Sequence, residues 1–165
     1  MSHDSADIAV SALVRAALFV SDLDRSLHFY RDVIGLPETF AEGDTRDEAF
    51  AALLGMPAET DIRYRILQIP GPPRGMVGLF EVRNPTPEKL GQRKPACAVG
   101  EVALVFYSGE FDALERRLDA EGVSFICRPR YLSVRAGVGQ QEMTFRDPDG
   151  IMVNVIDRSP DAGLT

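Results

Sequence analysis

Two stretches of this chain follow one plan, and that repetition constrains its fold more than any other feature. In the first, an apolar run from Leu13 to Val20 reads as a strand. Ser21 or Asp22 then supplies an N-cap oxygen for a helix. On that helix Leu23, Leu27, Tyr30 and Ile34 recur at helical spacing and are expected to form the buried face. Gly35 stands where a left-handed residue closes a helix. The second stretch repeats the order. Glu101 to Phe106 reads as a strand, Ser108 or Glu110 as a helix start, Phe111, Leu114 and Leu118 as one face, and Gly122 as the stop. A single insertion or deletion reconciles the two, so the chain reads as an internal duplication.

Each half continues into three further strands. In the first half these are expected at 38–42, 62–68 and 76–82, with a short amphipathic insert from Arg46 to Leu54 that Gly55 ends. In the second half they are expected at 124–128, 142–146 and 151–156, the last two joined by the turn sequence Asp147-Pro148-Asp149-Gly150. The organisation predicted is a tail over 1–10, a first module over 11–83, a proline-marked linker over 84–99, a second module over 100–158 and a tail over 159–165. The fold class is α+β.

Composition narrows the function classes. At 165 residues the chain is long enough for one domain or two small modules, and 45% hydrophobic with 26% charged residues is an ordinary globular mix. The net charge of −7 argues against a nucleic-acid partner, which needs a basic footprint. Cys97 and Cys127 lack metal-ligand spacing and read as reduced thiols. The polar start MSHDSADIAV is unlike a secretory signal, and no apolar run reaches the ~18 residues of a membrane span. A cytoplasmic protein without a membrane partner is expected.

Three segments carry a family resemblance. LFVSDLDRSLHFYRDVIGL resembles the N-terminal signature of the vicinal oxygen chelate superfamily, the glyoxalase, bleomycin-resistance and extradiol-dioxygenase group. GLFEVRNP resembles the strand that ends its first module, and FRDPDGIMVNVID its C-terminal signature. The resemblance spans about residues 11 to 158. It implies two tandem βαβββ modules forming a curved mixed sheet around a shared pocket, and a homodimer. It speaks to fold rather than reaction, because one fold hosts many chemistries.

Enzymes of that superfamily usually hold a divalent metal on four strand positions, filled by histidine, glutamate or glutamine. The resemblance carries these to Arg15, Glu81, Glu101 and Asn154. Arginine has no acceptor lone pair and cannot ligate. Strand alternation places Arg15, Ala17 and Phe19 on the pocket side, with Glu101, Ala103 and Val105 likewise. A slip of one residue would reverse these assignments. Two readings compete. In one, Glu81, Glu101 and Asn154 still hold a divalent ion. In the other, Arg15 replaces the metal, no cofactor is bound, and its planar fork takes a carboxylate.

Two functions follow from these readings. The first is a binder or sequestering protein whose walls are drawn from Phe19, Tyr64, Phe80, Met143, Phe145 and Met152, with Asn154 and Arg130 as polar contacts. Ordinary core packing is the competing account of each apolar residue. The second is a lyase, isomerase or epimerase. There Glu81 and Glu101 would form an acid–base pair and Arg15 would hold an oxyanion. An extradiol dioxygenase is disfavoured, because the iron ligands are missing. His28, on the first helix, is a weaker candidate. Tyr131, Arg128 and Arg130 read as following a strand and preceding a glycine-containing loop, Gly137 to Gln141, that is either a gate or plain solvated chain.

Overall fold

The computed structural model describes residues 10–91, 95–135 and 138–158. The chain divides into two compact units, Met1–Pro87 and Glu88–Thr165. Each unit builds one four-stranded mixed sheet, and the strand order is the same in both.

In the first unit, strand β1 (Arg15–Phe19) leads into helix α1 (Leu23–Leu27). Asp22 is the N-cap: its backbone is extended and its side chain accepts a hydrogen bond from the Arg25 N–H at 2.9 Å. From His28 to Ile34 the helix widens into π geometry and ends at Gly35, which has φ of 100°. Only glycine takes that left-handed angle without cost. The buried residues are Leu23, Ser26, Phe29, Tyr30 and Val33, whereas Leu27 and Ile34 are only half-buried. The face expected from a constant 3.6-residue period is therefore corrected. The i→i+5 bonding of a π-helix puts more residues in each turn and rotates the face along the axis.

Strands β2 (Glu38–Thr45), β3 (Asp61–Gln68) and β4 (Met76–Arg83) complete the sheet, with the short helix α2 (Glu48–Leu53) between β2 and β3. The order is β1-β4-β3-β2, with β1 parallel to β4 and the other pairs antiparallel. Paired residues point to one face. Leu18, Val77, Leu79 and Leu67 therefore share a face, and all are buried on the side that carries α1. Arg15, Ala17 and Phe19 lie on the other side and are exposed, as alternation predicted.

The second unit repeats the arrangement as β5 (Ala103–Ser108), α3 (Phe111–Ala120), β6 (Phe125–Arg135), β7 (Val138–Arg146) and β8 (Met152–Asp157), in the order β5-β8-β7-β6. Phe111, Leu114 and Leu118 are the buried face of α3, as the spacing predicted. Gly122 again has positive φ, 68°. Glu110 occupies the N-cap position without a side-chain cap bond. Glu101 precedes β5 rather than lying within it.

Two expectations about β6 and β7 change. These strands pair from Phe125↔Phe145 to Arg135↔Val138, so Arg130 and Tyr131 lie within β6. Val138 to Gln141 are strand rather than loop, and Gly137 lies outside the described residues. Polar residues on this hairpin mimic a loop signal, but its backbone groups are satisfied by the ladder.

Phe145 and Met143, expected as ligand walls, pair with Val153 and Val155 on the helix side of the sheet, and all four are fully buried. The Phe145 ring packs edge-on to Phe125 at 5.9 Å. Phe145→Ala is therefore expected to cost about 3–5 kcal/mol of folding stability, measured by urea unfolding. A cost below about 1 kcal/mol would contradict its place in the core.

Candidate functional site

On the open side of the first sheet, pairing aligns Phe19 with Phe80 and Phe80 with Tyr64. Phe19 and Phe80 have ring centroids 6.1 Å apart, and Tyr64 stacks on Phe80 at 5.9 Å with an interplanar angle of 23°. Helix α2 covers one end of this row. Asp47 caps it by accepting from the Phe50 N–H at 2.8 Å, and the Phe50 ring meets Tyr64 and Phe80 edge-on. Phe80 is thereby buried, while Phe19 remains 52% exposed. Three of the four aromatic residues singled out in sequence, Phe19, Tyr64 and Phe80, come together, with Phe50 as a member that sequence reasoning missed.

Arg15 lies on the same face. Its guanidinium carbon sits 5.9 Å from the centre of the Phe80 ring, a cation–π distance. Gly78 makes this possible. A Cβ there would come within 2.7 Å of the Phe80 ring and 3.5 Å of Arg15 Cδ. Among the described residues no carboxylate pairs with Arg15.

Glu81 is separated from this group. It neighbours Phe80 in the strand, so the pleat turns it to the helix side. There it pairs in register with Arg63, whose Nη1 donates to Glu81 Oε2 at 3.0 Å. Arg63 also reaches Asp44 at 3.3 Å and Asp24 at 3.5 Å, which ties β2, β4 and α1 together. The sequence signal for this was an arginine directly across the strand pair from Glu81, visible only once register is known. A hollow of about 410 Å³ beside this network is lined by Asp44, Asp61, Arg46, Arg63, Arg83 and Asn84 among others. Its acids are already engaged. Hydrogen bonds from Arg46 first, and Asn84 second, hold the Asp61 carboxyl below the usual carboxylate range.

In the second unit, Glu101 is held by Arg146. Arg146 Nη1 donates to Glu101 Oε1 and also to the Gly150 carbonyl at 2.8 Å, while Nη2 reaches Glu101 Oε2 at 3.4 Å. The Ala98 N–H donates to the same carboxylate at 3.1 Å. The two side chains are 5% and 11% exposed. Asn154 lies on the open face between Val105 and Thr144. Its Nδ2 donates to Glu142 Oε2 at 3.1 Å and Thr144 Oγ1 at 3.0 Å. Met152 shares this face by register with Arg146, and Arg130 by register with Glu142. His28 is on the helix surface, 3.1 Å from Asp32.

The chain matches the family model of the Glyoxalase/Bleomycin resistance protein/Dioxygenase superfamily over residues 12–155. The chain belongs to that superfamily. Solved superfamily-like structures share its fold. A glyoxalase family protein from Bacillus cereus superposes with a TM-score of 0.73 at 15% identity, covering 94% of this chain and 98% of that one. An antibiotic-binding protein from Streptomyces gives 0.58 at 18%, covering 92% and 99%. A glyoxalase I mutant from Zea mays gives 0.64 at 20%, covering 90% of this chain and 46% of that longer one. No curated protein matches the sequence.

The four positions that the superfamily resemblance assigned to a metal do not make a ligand set. Arg15 is a cation. Glu81 faces the helix side and is bound to Arg63. The Glu101 carboxylate is taken by Arg146, and the Asn154 amide nitrogen is turned to Glu142. Among the described residues no three His, Cys, Asp or Glu side chains form a metal-sized group. Breaking the Glu101–Arg146 pair from one side should be costly, because a buried carboxylate loses its cation. Arg146→Met is expected to lower unfolding free energy by about 3 kcal/mol, and Arg146→Met with Glu101→Gln to recover most of it. Equal losses in the single and double variants, in chemical denaturation, would contradict this.

Proposed function

We propose that this protein binds a small anionic molecule carrying a flat apolar body, and that it does so without a metal ion. One observation carries the reading: Arg15 is an exposed guanidinium with no carboxylate partner among the described residues, lying on an aromatic row beside the exposed Phe19. The neighbouring arginines Arg63 and Arg65 are each spent on acids of their own unit. Arg15 stands at a position where superfamily enzymes place a metal ligand, so a fixed positive charge takes the place of the metal's charge. It presents a planar fork to a carboxylate, sulfonate or phosphate. Phe19 offers the ring beside it a stacking surface. Phe80 and Tyr64 lie behind and hold Arg15 and Phe19 in place.

A binding role is also consistent with the antibiotic-binding protein that shares the fold. The acid–base reading through Glu81 and Glu101 gains no support, since each carboxylate is committed to an arginine.

The test uses 1-naphthoate as anionic probe and 1-naphthalenemethanol as its neutral counterpart, both by titration calorimetry. Wild-type protein is expected to prefer the acid. Arg15→Ala is expected to weaken naphthoate by about tenfold or more and to leave the alcohol unchanged, because one charge-assisted hydrogen-bonding group is lost. Phe19→Ala should weaken both. Metal analysis of the purified protein is expected to find well under one divalent ion per chain. A preference that survives Arg15→Ala, or a full equivalent of tightly bound metal, would overturn the reading.

A further inference from the structure

The open face of the second sheet has a chemistry unlike that of the first. Its rows follow from register: Val105, Asn154 and Thr144 lie side by side, and the next row holds Tyr107, Ile156, Glu142 and Arg130. Val105 is 59% and Tyr107 50% exposed, and the residues between them are half-buried. Glu142 differs from Glu81 and Glu101. Its carboxylate is held by neutral amides rather than by a cation. Gln140 Nε2 donates to Oε1 at 2.7 Å, and Asn154 Nδ2 donates to Oε2 at 3.1 Å. Arg130 stands across the β6–β7 ladder from Glu142, yet no ion pair to Glu142 occurs among the described residues.

The network is one-sided. Each amide nitrogen is turned inward, so the Oδ1 of Asn154 and the Oε1 of Gln140 are left as acceptors beside a full negative charge. Thr144 Oγ1 already accepts from Asn154. A half-buried carboxylate without a cation keeps an unspent electrostatic demand, and the surrounding low dielectric makes that demand stronger than at the surface. Val105, Met152, Ile156 and Tyr107 frame it with apolar surface.

We propose that Glu142, oriented by Asn154 and Gln140, is a ligand-binding carboxylate that takes a protonated amine attached to an apolar group. The ammonium donates to Glu142 and to the Asn154 and Gln140 oxygens, and the apolar part lies along Val105 and Met152. Asn154 and Gln140 act as positioning residues, because they fix the carboxylate in place. The site uses residues of the second unit alone, so it stands independently of the anion site at Arg15.

The experiment follows backbone amide NMR shifts of the full chain titrated with benzylammonium, with benzyl alcohol as the uncharged control. Shifts confined to residues 103–107, 140–144 and 152–156, and larger for the amine than for the alcohol, are expected. Glu142→Gln is expected to weaken benzylammonium by about tenfold or more, as loss of a charge-assisted bond requires. The same variant should bind 1-naphthoate like wild type, and wild-type amide shifts across the rest of the second unit verify that it is folded. Glu142→Asp keeps the charge and should keep the preference for amine over alcohol. Undiminished benzylammonium binding in Glu142→Gln overturns the proposal. So does equal response to amine and alcohol, or the absence of shifts at these residues in wild type. Loss of naphthoate binding with Arg15→Ala bears only on the anion site, so the two proposals fail separately.

Discussion

The pairing of the first strand of each unit with the last, in parallel, is the constraint on which the remainder of the structure depends. It sets Phe19 beside Phe80 in one unit and Val105 beside Asn154 in the other. Side chains alternate with a period of two, so one register decides the face of every residue in the sheet. A slip of β1 by one position would send Leu18 to the open side and turn Arg15 and Phe19 toward the helix-packed core. Burial of the apolar set is worth about 25 cal/mol per Å², which makes that exchange prohibitive. Hydrophobic packing beneath α1 and α3 thus fixes which polar residues are presented on the other side.

Charge is distributed under the same rule. Arginines that face acids on the covered side or at strand ends are neutralised within their own unit: Arg63 by Glu81, Asp44 and Asp24, and Arg146 by Glu101. These pairs hold strands and helix together, and their desolvation is offset by several hydrogen bonds each. Among the described residues of the open faces, Arg15 has no carboxylate partner and Glu142 is bonded by amides rather than by a cation. The first unit therefore offers a cation on an aromatic surface, and the second an acceptor-rich cluster in an aliphatic frame.

Membership of the glyoxalase, bleomycin-resistance and dioxygenase superfamily describes the architecture, while the side chains determine what the architecture can do. A divalent ion needs several converging lone pairs. Here three of the four corresponding positions hold a cation, a glutamate turned to the other face and a glutamate committed to arginine.

The sequence by itself determined the repeat, the strand–helix–strand order, the helix start at Ser21 or Asp22, the closing glycines and the buried face of α3. These depend on local propensity and periodicity, which short stretches of chain carry within themselves. Alternation within β1 also placed Arg15 and Phe19 on one surface, because it is local to the strand, whereas the register brings Phe80 and Tyr64 to that surface. Only the tertiary structure decided that Glu81 points away from them, that Phe145 and Met143 are core, that Leu27 and Ile34 yield to Ser26 and Val33, and that Glu101 is bound by Arg146. Each of those depends on a register between distant strands or on a helix changing its own period. A carboxylate's role follows from the residue opposite it, and that neighbour is chosen by the packing of the whole sheet rather than by the residues beside it in the chain.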